Sequence, residues 1–504
     1  MMARIQSGAS VMPASKKNPM RAINPKGGAS PCRCIFAFSV IALCLGGCMV
    51  GPNYVRPKAD VPSDYKENKD WKVAQPSADA VKGKWWEIYQ DPQLNALEEK
   101  VDVSNQSLKA AEEQFVQARA AVRISRSFYY PTVTADPAIA RERFSENRPL
   151  GIVGSTQTFN DFQVPGIDAT YELDVWGRVR RTVEQSRSNA QASAADLASF
   201  GLSLHAELAM DYFQLRGLDA QEQLLDSTVV AYQKALELTE TRFNGGLASA
   251  VDVAQAQTQL ETARAQSIDV EVERTAFEHA IAVLTGQPSS TFAIAPIPLE
   301  TPPPSIPAGL PSDLLERRPD ISSAERRMQA ANAQIGITRA AYYPTITLTG
   351  QGGFESISAG TLFQGPSGLW AAGGSALETL FDAGRRRGMS DQAKSAYQQS
   401  VDNYRQSVLT AFQEVEDNLA SLRILAREAQ TEDVAVGAAK HSVELSITRY
   451  KGGVTNYLEV TTAQSAALTD EVTAVTILTR RMTASVLLIK AIGGGWNVSQ
   501  IPRV

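Results

Sequence analysis

The sequence is poor in the side chains that most enzymes use. Its 504 residues include only three histidines, His205, His279 and His441, and four cysteines. Each histidine stands alone in a helix-like stretch with no HxxxH or HxxE partner, which reads as packing or surface. No phosphate-cradling G-x-x-x-x-G-K-[ST] loop occurs. Without convergent nucleophiles, acids or metal ligands, the chain is not expected to be an enzyme, and no cofactor or metal is expected. Also missing is any run of 18 consecutive apolar residues, so no transmembrane helix is expected. The formal net charge of −5 gives no basic footprint for a nucleic-acid partner. Proline is absent between Pro165 and Pro288 and again between Pro366 and Pro502.

What is present begins with a charge split. Residues 1–47 carry six basic residues and no acid, which leaves the remainder at −11 rather than −5. The apolar run Ile35–Leu45 follows, 11 residues long. A basic start, a short apolar run and small residues make an export signal. The run ends in Leu45-Gly46-Gly47-Cys48, which resembles a lipobox. Residues 1–47 are therefore expected to be a lipoprotein signal peptide, with Met20 a second candidate start, and Cys48 the lipidated first residue. Cys32, Cys34 and Cys44 precede the cut, so the mature chain can form no internal disulfide.

The most informative feature is an internal repeat. Tyr129-Tyr130-Pro131-Thr132 returns as Tyr342-Tyr343-Pro344-Thr345, an offset of 213. Thr241-Arg242-Phe243-Asn244-Gly245-Gly246 returns as Thr448-Arg449-Tyr450-Lys451-Gly452-Gly453, an offset of 207. Leu173–Arg178 echoes in Leu380–Arg385 at the same 207. The six-residue difference belongs in a loop. The expected organisation is an extended N-terminal segment, 48–93; a first copy, 94–286; a linker, 287–311, holding eight prolines; a second copy, 312–492; and a tail, 493–504.

Each copy has one order. A helix-like stretch (94–127; 320–341) stops at YYPT, because proline disfavours helix in the residue before it. Period-two sequence follows (167–175; 345–349), which predicts strands with one wet and one greasy face. Long proline-free helical stretches come next. Residues 178–243 alone would span ~100 Å at 1.5 Å per residue, with Gly201 and Gly217 as possible bends. Gly245-Gly246 and Gly452-Gly453 would turn each helix back into a hairpin. Two strands per copy make four per chain, too few to close a membrane barrel, and an open edge in lipid leaves backbone groups unmet. Strands in a membrane therefore demand an oligomer. Strand arithmetic leaves dimer and trimer both open.

Several pieces together resemble the TolC-type outer-membrane factors of tripartite efflux systems, in the lipoprotein branch labelled NodT. They are Cys48–Tyr54, the paired YYPT, Tyr171–Arg178, the two TR(F/Y)xGG tips, Arg317-Arg318-Pro319-Asp320 and Gly493-Gly494-Gly495-Trp496. The resemblance runs from Cys48 to the end. It implies an α+β membrane protein. Three chains would form a 12-stranded outer-membrane β-barrel, four strands from each, continued by a long periplasmic α-helical barrel. It implies a homotrimer, lipid-anchored in the outer membrane, with a periplasmic adaptor and an inner-membrane pump as partners. The duct would be passive and gated, carrying drugs or other small toxic compounds. The family's gate maps onto Asp252, Arg449 and Tyr450, its acidic ring onto Glu459, and its adaptor or pump contacts onto Gly245, Gly246, Gly452 and Gly453. A second ring position, often aspartate in the family, is Thr462 here, which puts the ring's strength in doubt. Rival readings are a metal-ion or protein-secretion duct of the same fold, and a coiled-coil envelope lipoprotein without a pore. Trp85-Trp86 with Tyr89 reads either as an interfacial anchor or as packing of the N-terminal segment. Asp174 and Arg178 read as turn and cap.

Overall fold

The computed structural model describes residues 49–58, 61–68, 83–143, 158–306 and 313–502. The expected signal peptide and Cys48 lie outside these residues.

The first helical stretch is two helices rather than the single one expected. Helix α1 spans Pro92–Ser104, with proline at its first turn and Asp91 accepting from the Gln93 and Leu94 amides. Helix α2 spans Gln106–Ser127. The break is Asn105, which is buried and in extended backbone. Its side-chain oxygen caps α2 at the Leu108 amide, and its side-chain nitrogen donates to the Leu284 carbonyl. A polar side chain that fits a cap better than a helix interior has won over the apolar periodicity.

After Pro131 come strands β1, Thr132–Ala135, β2, Ala138–Arg143, and β3, Thr158–Leu173. Strands β1 and β2 both pair antiparallel with β3, β1 against residues 167–170 and β2 against 158–163. They are one broken track, and the break has a sequence cause. Pro137 interrupts it opposite Pro165, where the β3 register shifts between Val164 and Ile167, and neither proline has an amide to give a ladder. Strand β3 ends at Leu173, short of the expected Val175, because Asp174 turns away to cap the next helix. The second copy supplies β4, Thr345–Ser356, and β5, Gly368–Leu377. Among the described residues, one sheet has four tracks in the order β1/β2, β3, β4, β5, with the two outer edges unpaired. Every strand residue whose burial is described is at least partly exposed, on both faces.

Helix α3 runs Arg178–Asn244 and helix α6 runs Arg385–Lys451, each 67 residues. Helix α4, Ala250–Leu284, and helix α7, Tyr457–Ala491, are 35 residues each. Helix α5 is Pro319–Ala340. Gly201 and Gly217 do not interrupt α3. Gly217 serves a close approach instead: an added Cβ would collide with Thr479 Oγ1 of α7. Helix α7 is long and apolar enough to cross a membrane, a point missed by counting consecutive apolar residues. It packs on α6, α3 and α4, and Ala and Thr suit that close packing.

The main core lies where α1, α3, α5, α6 and α7 meet, around Leu208, Tyr212, Met328, Val415 and Leu488. Trp85 and Trp86 are in it, 3% and 4% exposed, so the packing reading of this pair holds within the chain. Residues 287–306 are largely irregular yet pinned, with Ile294 and Ile306 buried and the Leu299 amide donating to the Arg216 carbonyl.

Candidate functional site

The two glycine pairs build matching turns. The Leu247 amide donates to the Arg242 carbonyl at 2.7 Å, and the Val454 amide to the Arg449 carbonyl at 3.0 Å. These six-to-one bonds close Schellman caps. Only the second glycine of each pair needs the left-handed region, with φ of +73° at Gly246 and +71° at Gly453. All four glycines lie at the tips, at the ends of α3 and α6.

Beyond the turns, Asp252 and Glu459 occupy the same third position of α4 and α7. Asp252 completes a capping box with Ser249: its Oδ2 accepts from the Ser249 amide at 2.9 Å, and its amide donates to Ser249 Oγ. Asp252 Oδ1 also accepts from the Tyr457 amide at 3.4 Å, which joins the first hairpin to the second. Glu459 accepts from Thr455 Oγ1 at 2.5 Å and pairs with Arg449 at 3.1 Å.

Tyr450 is 3% exposed and meets Tyr457 edge-on at 5.3 Å between ring centres. Arg242 lies over the Tyr450 ring at 4.8 Å and donates to the Lys451 carbonyl at 2.9 Å. The four expected gate and ring residues are therefore brought within one tip cluster. Asp252 and Tyr450, two of the expected gate residues, share no hydrogen bond within the chain. Asp252 holds Tyr457 instead, Arg449 holds Glu459, and the Tyr450 hydroxyl has no partner among the protein atoms. Burial pushes the Tyr457 phenol up to about 12, with Tyr450 and Tyr232 adding to the rise.

Sequence reasoning missed Arg242 as the cross-hairpin clasp, and Tyr457 and Tyr232 as members of the buried cluster that holds Tyr450. The repeat gave Arg242 only as the mate of Arg449. Nothing in the spacing says which arginine turns inward.

Two further clusters sit higher on α3. His205 is not alone: Nδ1 is 2.7 Å from Glu98 Oε2 and Nε2 is 3.0 Å from Asp102 Oδ1, both on α1, and Trp86 stacks on the ring. Burial pushes Glu98 up to about 7 against the pull of His205. Burial lowers His205, but the bonds and charges of Glu98 and Asp102 outweigh it and the net direction is up. Near the sheet, the Asp174 carboxylate accepts the Val179 and Arg180 amides, and Arg178 pairs with Glu172, which is a capping arrangement. Arg181 is 1% exposed and donates to Asn53 and Glu184. Gly51 lies against the Gly336 backbone, so this arginine clamps the N-terminal segment between α3 and α5. Among the described residues, no group of three or more His, Cys, Asp or Glu is arranged to hold a metal ion.

Residues 97–287 and 310–494 match the model of the outer membrane efflux protein family. The chain belongs to that family. The antibiotic efflux pump outer membrane protein ArpC of Pseudomonas putida is 32% identical over 466 residues, which is 92% of this chain and 96% of that one. The toluene efflux pump outer membrane protein TtgC, from a strain of the same species, is similar to the same extent. The solved outer-membrane channel OprN superposes with a TM-score of 0.84 at 27% identity, covering 89% of this chain and 100% of that one. This outer membrane efflux protein is thus an outer-membrane channel of an efflux pump, and its relatives transport rather than catalyse.

Proposed function

We propose that three copies of this outer membrane efflux protein close a 12-stranded barrel in the outer membrane and extend it into the periplasm as an α-helical tunnel. The observation that carries this reading is the four-track sheet with two unpaired edges and exposed Val133, Ile139, Leu348, Trp370 and Leu377. In lipid each unpaired backbone group costs several kcal/mol, so the edges need partners. Three chains of four tracks reach an even, closable strand number. Helices α3 and α6, with α4 and α7 folded back at the glycine turns, continue the wall as two repeated hairpins.

The tip cluster is the gate. Asp252 and Arg242 of the first hairpin hold Tyr457, Tyr450 and Lys451 of the second, Arg449 and Glu459 pair within the second, and separation of the hairpins opens the duct. Glu459 from three chains would give an acidic ring that favours cations, moderated by its bond to Arg449. Lipidation of Cys48 anchors the chain at the membrane. The glycine tips meet a periplasmic adaptor and an inner-membrane pump, which supplies the energy. The cargo is small organic toxicants, in the class of the antibiotics and solvent for which the relatives are named.

Detergent-purified protein, weighed by light scattering and reconstituted in a planar bilayer, tests this. A trimeric mass with a small conductance supports the reading. A monomer that never conducts, in any tip variant, overturns it and favours the coiled-coil lipoprotein without a pore.

A further inference from the structure

At the end of the sheet where β3 finishes and β4 begins, the charge of the chain changes sign. Residues 120–131, 172–187, 335–344 and 377–388 adjoin this end, where α2 and α5 stop and α3 and α6 start. They hold ten arginines, five acids and no lysine, whereas residues 48–504 as a whole carry −11. In the first copy the acids are matched: Arg178 pairs with Glu172, Arg180 with Asp174 and Arg181 with Glu184. In the second copy one arginine takes both acids. Arg386 pairs with Asp382 at 2.7 Å and Glu378 at 3.3 Å, and lies over the Tyr342 ring at 5.4 Å. Arg339, Arg385 and Arg387 are exposed, and their side chains have no hydrogen bond or ion pair among the described residues.

The N-terminal segment shows which way this patch faces. Arg339 follows Asn332 by two turns of α5 and so shares its face. Asn332 donates to the Pro52 carbonyl at 3.0 Å, which puts the N-terminal segment on that face. A segment that leads to a lipid anchor runs outside a duct. On α3 the same segment covers the turn glycine, where an added Cβ at Gly177 would strike Met49. Gly384 is the repeat mate of Gly177, with φ of +88° against +83°. An added Cβ there, or at Gly388 one turn on, would meet nothing within 4 Å. Arg385 and Arg387 flank this open strip. The seat that a peptide fills in the first copy is thus bare in the second. Between it and the sheet stand Leu380 and Phe381, 91% and 85% exposed, the most exposed large apolar side chains among the described residues. Apolar side chains beside the sheet, then free guanidinium groups, follow the order of a membrane boundary, acyl chains and then phosphates.

We propose that Arg339, Arg385 and Arg387 seat the headgroup of an anionic phospholipid from the leaflet that faces the periplasm, with Leu380 and Phe381 against its acyl chains. The phosphate supplies the acceptors that these guanidinium groups lack. Arginine, more than lysine, matches the paired oxygens of a phosphate. A zwitterionic headgroup carries its own cation and gains less from the surplus of positive charge. The seat rests on the sheet lying in the outer membrane, as befits the family, and not on the number of copies.

The detergent-purified full chain is mixed with equal amounts of dioleoylphosphatidylglycerol and dioleoylphosphatidylcholine, and native mass spectrometry counts the lipids it retains. Wild type should retain the anionic lipid in excess. Arg339→Gln, Arg385→Gln and Arg387→Gln should each lower that excess about fivefold, the equivalent of ~1 kcal/mol for one basic residue at an anionic surface. Arg427→Gln is the control. Arg427 is exposed on the same helix, ~60 Å beyond Arg387, and its loss should leave the excess unchanged. Each variant is scored only at wild-type mass and helix content, and if one fails to fold the other two decide. Equal retention of the two lipids by wild type overturns the seat. So does an excess unchanged in the three variants, or one lowered as far by Arg427→Gln. The same spectra give the oligomeric mass, so failure of the trimer is seen apart from failure of the seat.

Discussion

The sharpest test of the gate is Arg242→Gln. The guanidinium donates to the Lys451 carbonyl at 2.9 Å and lies 4.8 Å from the centre of the Tyr450 ring, so one side chain from α3 holds the end of α6 in two ways. A hydrogen bond from a charged group is worth about 1.5–3 kcal/mol, and a cation–π contact at a partly exposed site about 0.5–1. Discounting for the solvent near the tip gives about 2 kcal/mol per chain, or roughly a 30-fold shift in the ratio of separated to joined tips. Its repeat mate Arg449 pairs with Glu459 at 3.1 Å, but those side chains are 55% and 39% exposed. An exposed pair is worth less than about 1 kcal/mol, so Arg449→Gln should shift the same ratio by no more than about fivefold. The assay is open probability of single channels in a planar bilayer, with wild type and both variants at equal salt. A double-mutant cycle with Tyr450→Leu isolates the ring contact, for which a coupling of about 0.5–1 kcal/mol is expected. If Arg242→Gln opens the channel no more than Arg449→Gln does, the clasp is not where the structure puts it.

Other consequences reach the rest of the chain. Gly217→Ala should destabilise by about 1–3 kcal/mol through its collision with Thr479, and Thr479→Ala should restore part of that in denaturant titrations. Glu98 and His205 both hold a proton more tightly in the folded chain, so their stabilisation is present at mildly acidic pH. It is lost as pH rises, for Glu98 between its ordinary 4.5 and about 7, and for His205 as pH passes its raised value. Tm should accordingly fall from pH 6 to pH 8, and a Glu98→Gln, His205→Gln double variant should flatten that slope; an unchanged slope counts against the cluster. Gly51→Ala, which drives a side chain into the Gly336 backbone at a φ of +99°, should free the N-terminal segment and make it cleavable by added protease within residues 49–58. Trp176→Phe removes a 2.9 Å bond to the Pro344 carbonyl and should cost about 1 kcal/mol in the same titrations.

Much of this fold could be read from the residues because its signals are long. The gap between Pro165 and Pro288 and the paired glycines gave α3 and its turn nearly to the residue, and a returning helix after it. YYPT marked both helix ends. Short-range chemistry was harder to read. The helix break at Asn105 depends on a carbonyl at Leu284, 179 residues away, and no local pattern announces it. His205 looked unpartnered because its carboxylates lie on α1, over 100 residues earlier. At the tips, the residue types were visible but not their pairing. Asp252 and Glu459 share a helix position, yet one caps its own helix and reaches Tyr457 while the other takes an arginine. That choice is made by packing between hairpins, which the repeat leaves undetermined.

The matched lengths of α3 and α6, and of α4 and α7, carry a consequence for how such a chain can change. One inserted residue in a continuous helix rotates everything beyond it by about 100° and displaces it by 1.5 Å. In α3 that would swing Arg242 off Tyr450 and carry Tyr212 out of the core. An insertion there is tolerable only if the facing helix shifts with it, which needs two coordinated events. The sheet loops face no such constraint, and it is between YYPT and the start of the long helix that the two copies differ by six residues. In the proposed trimer, the reach of the helical tunnel below the barrel is therefore a frozen dimension, and diversification is confined to its outer mouth.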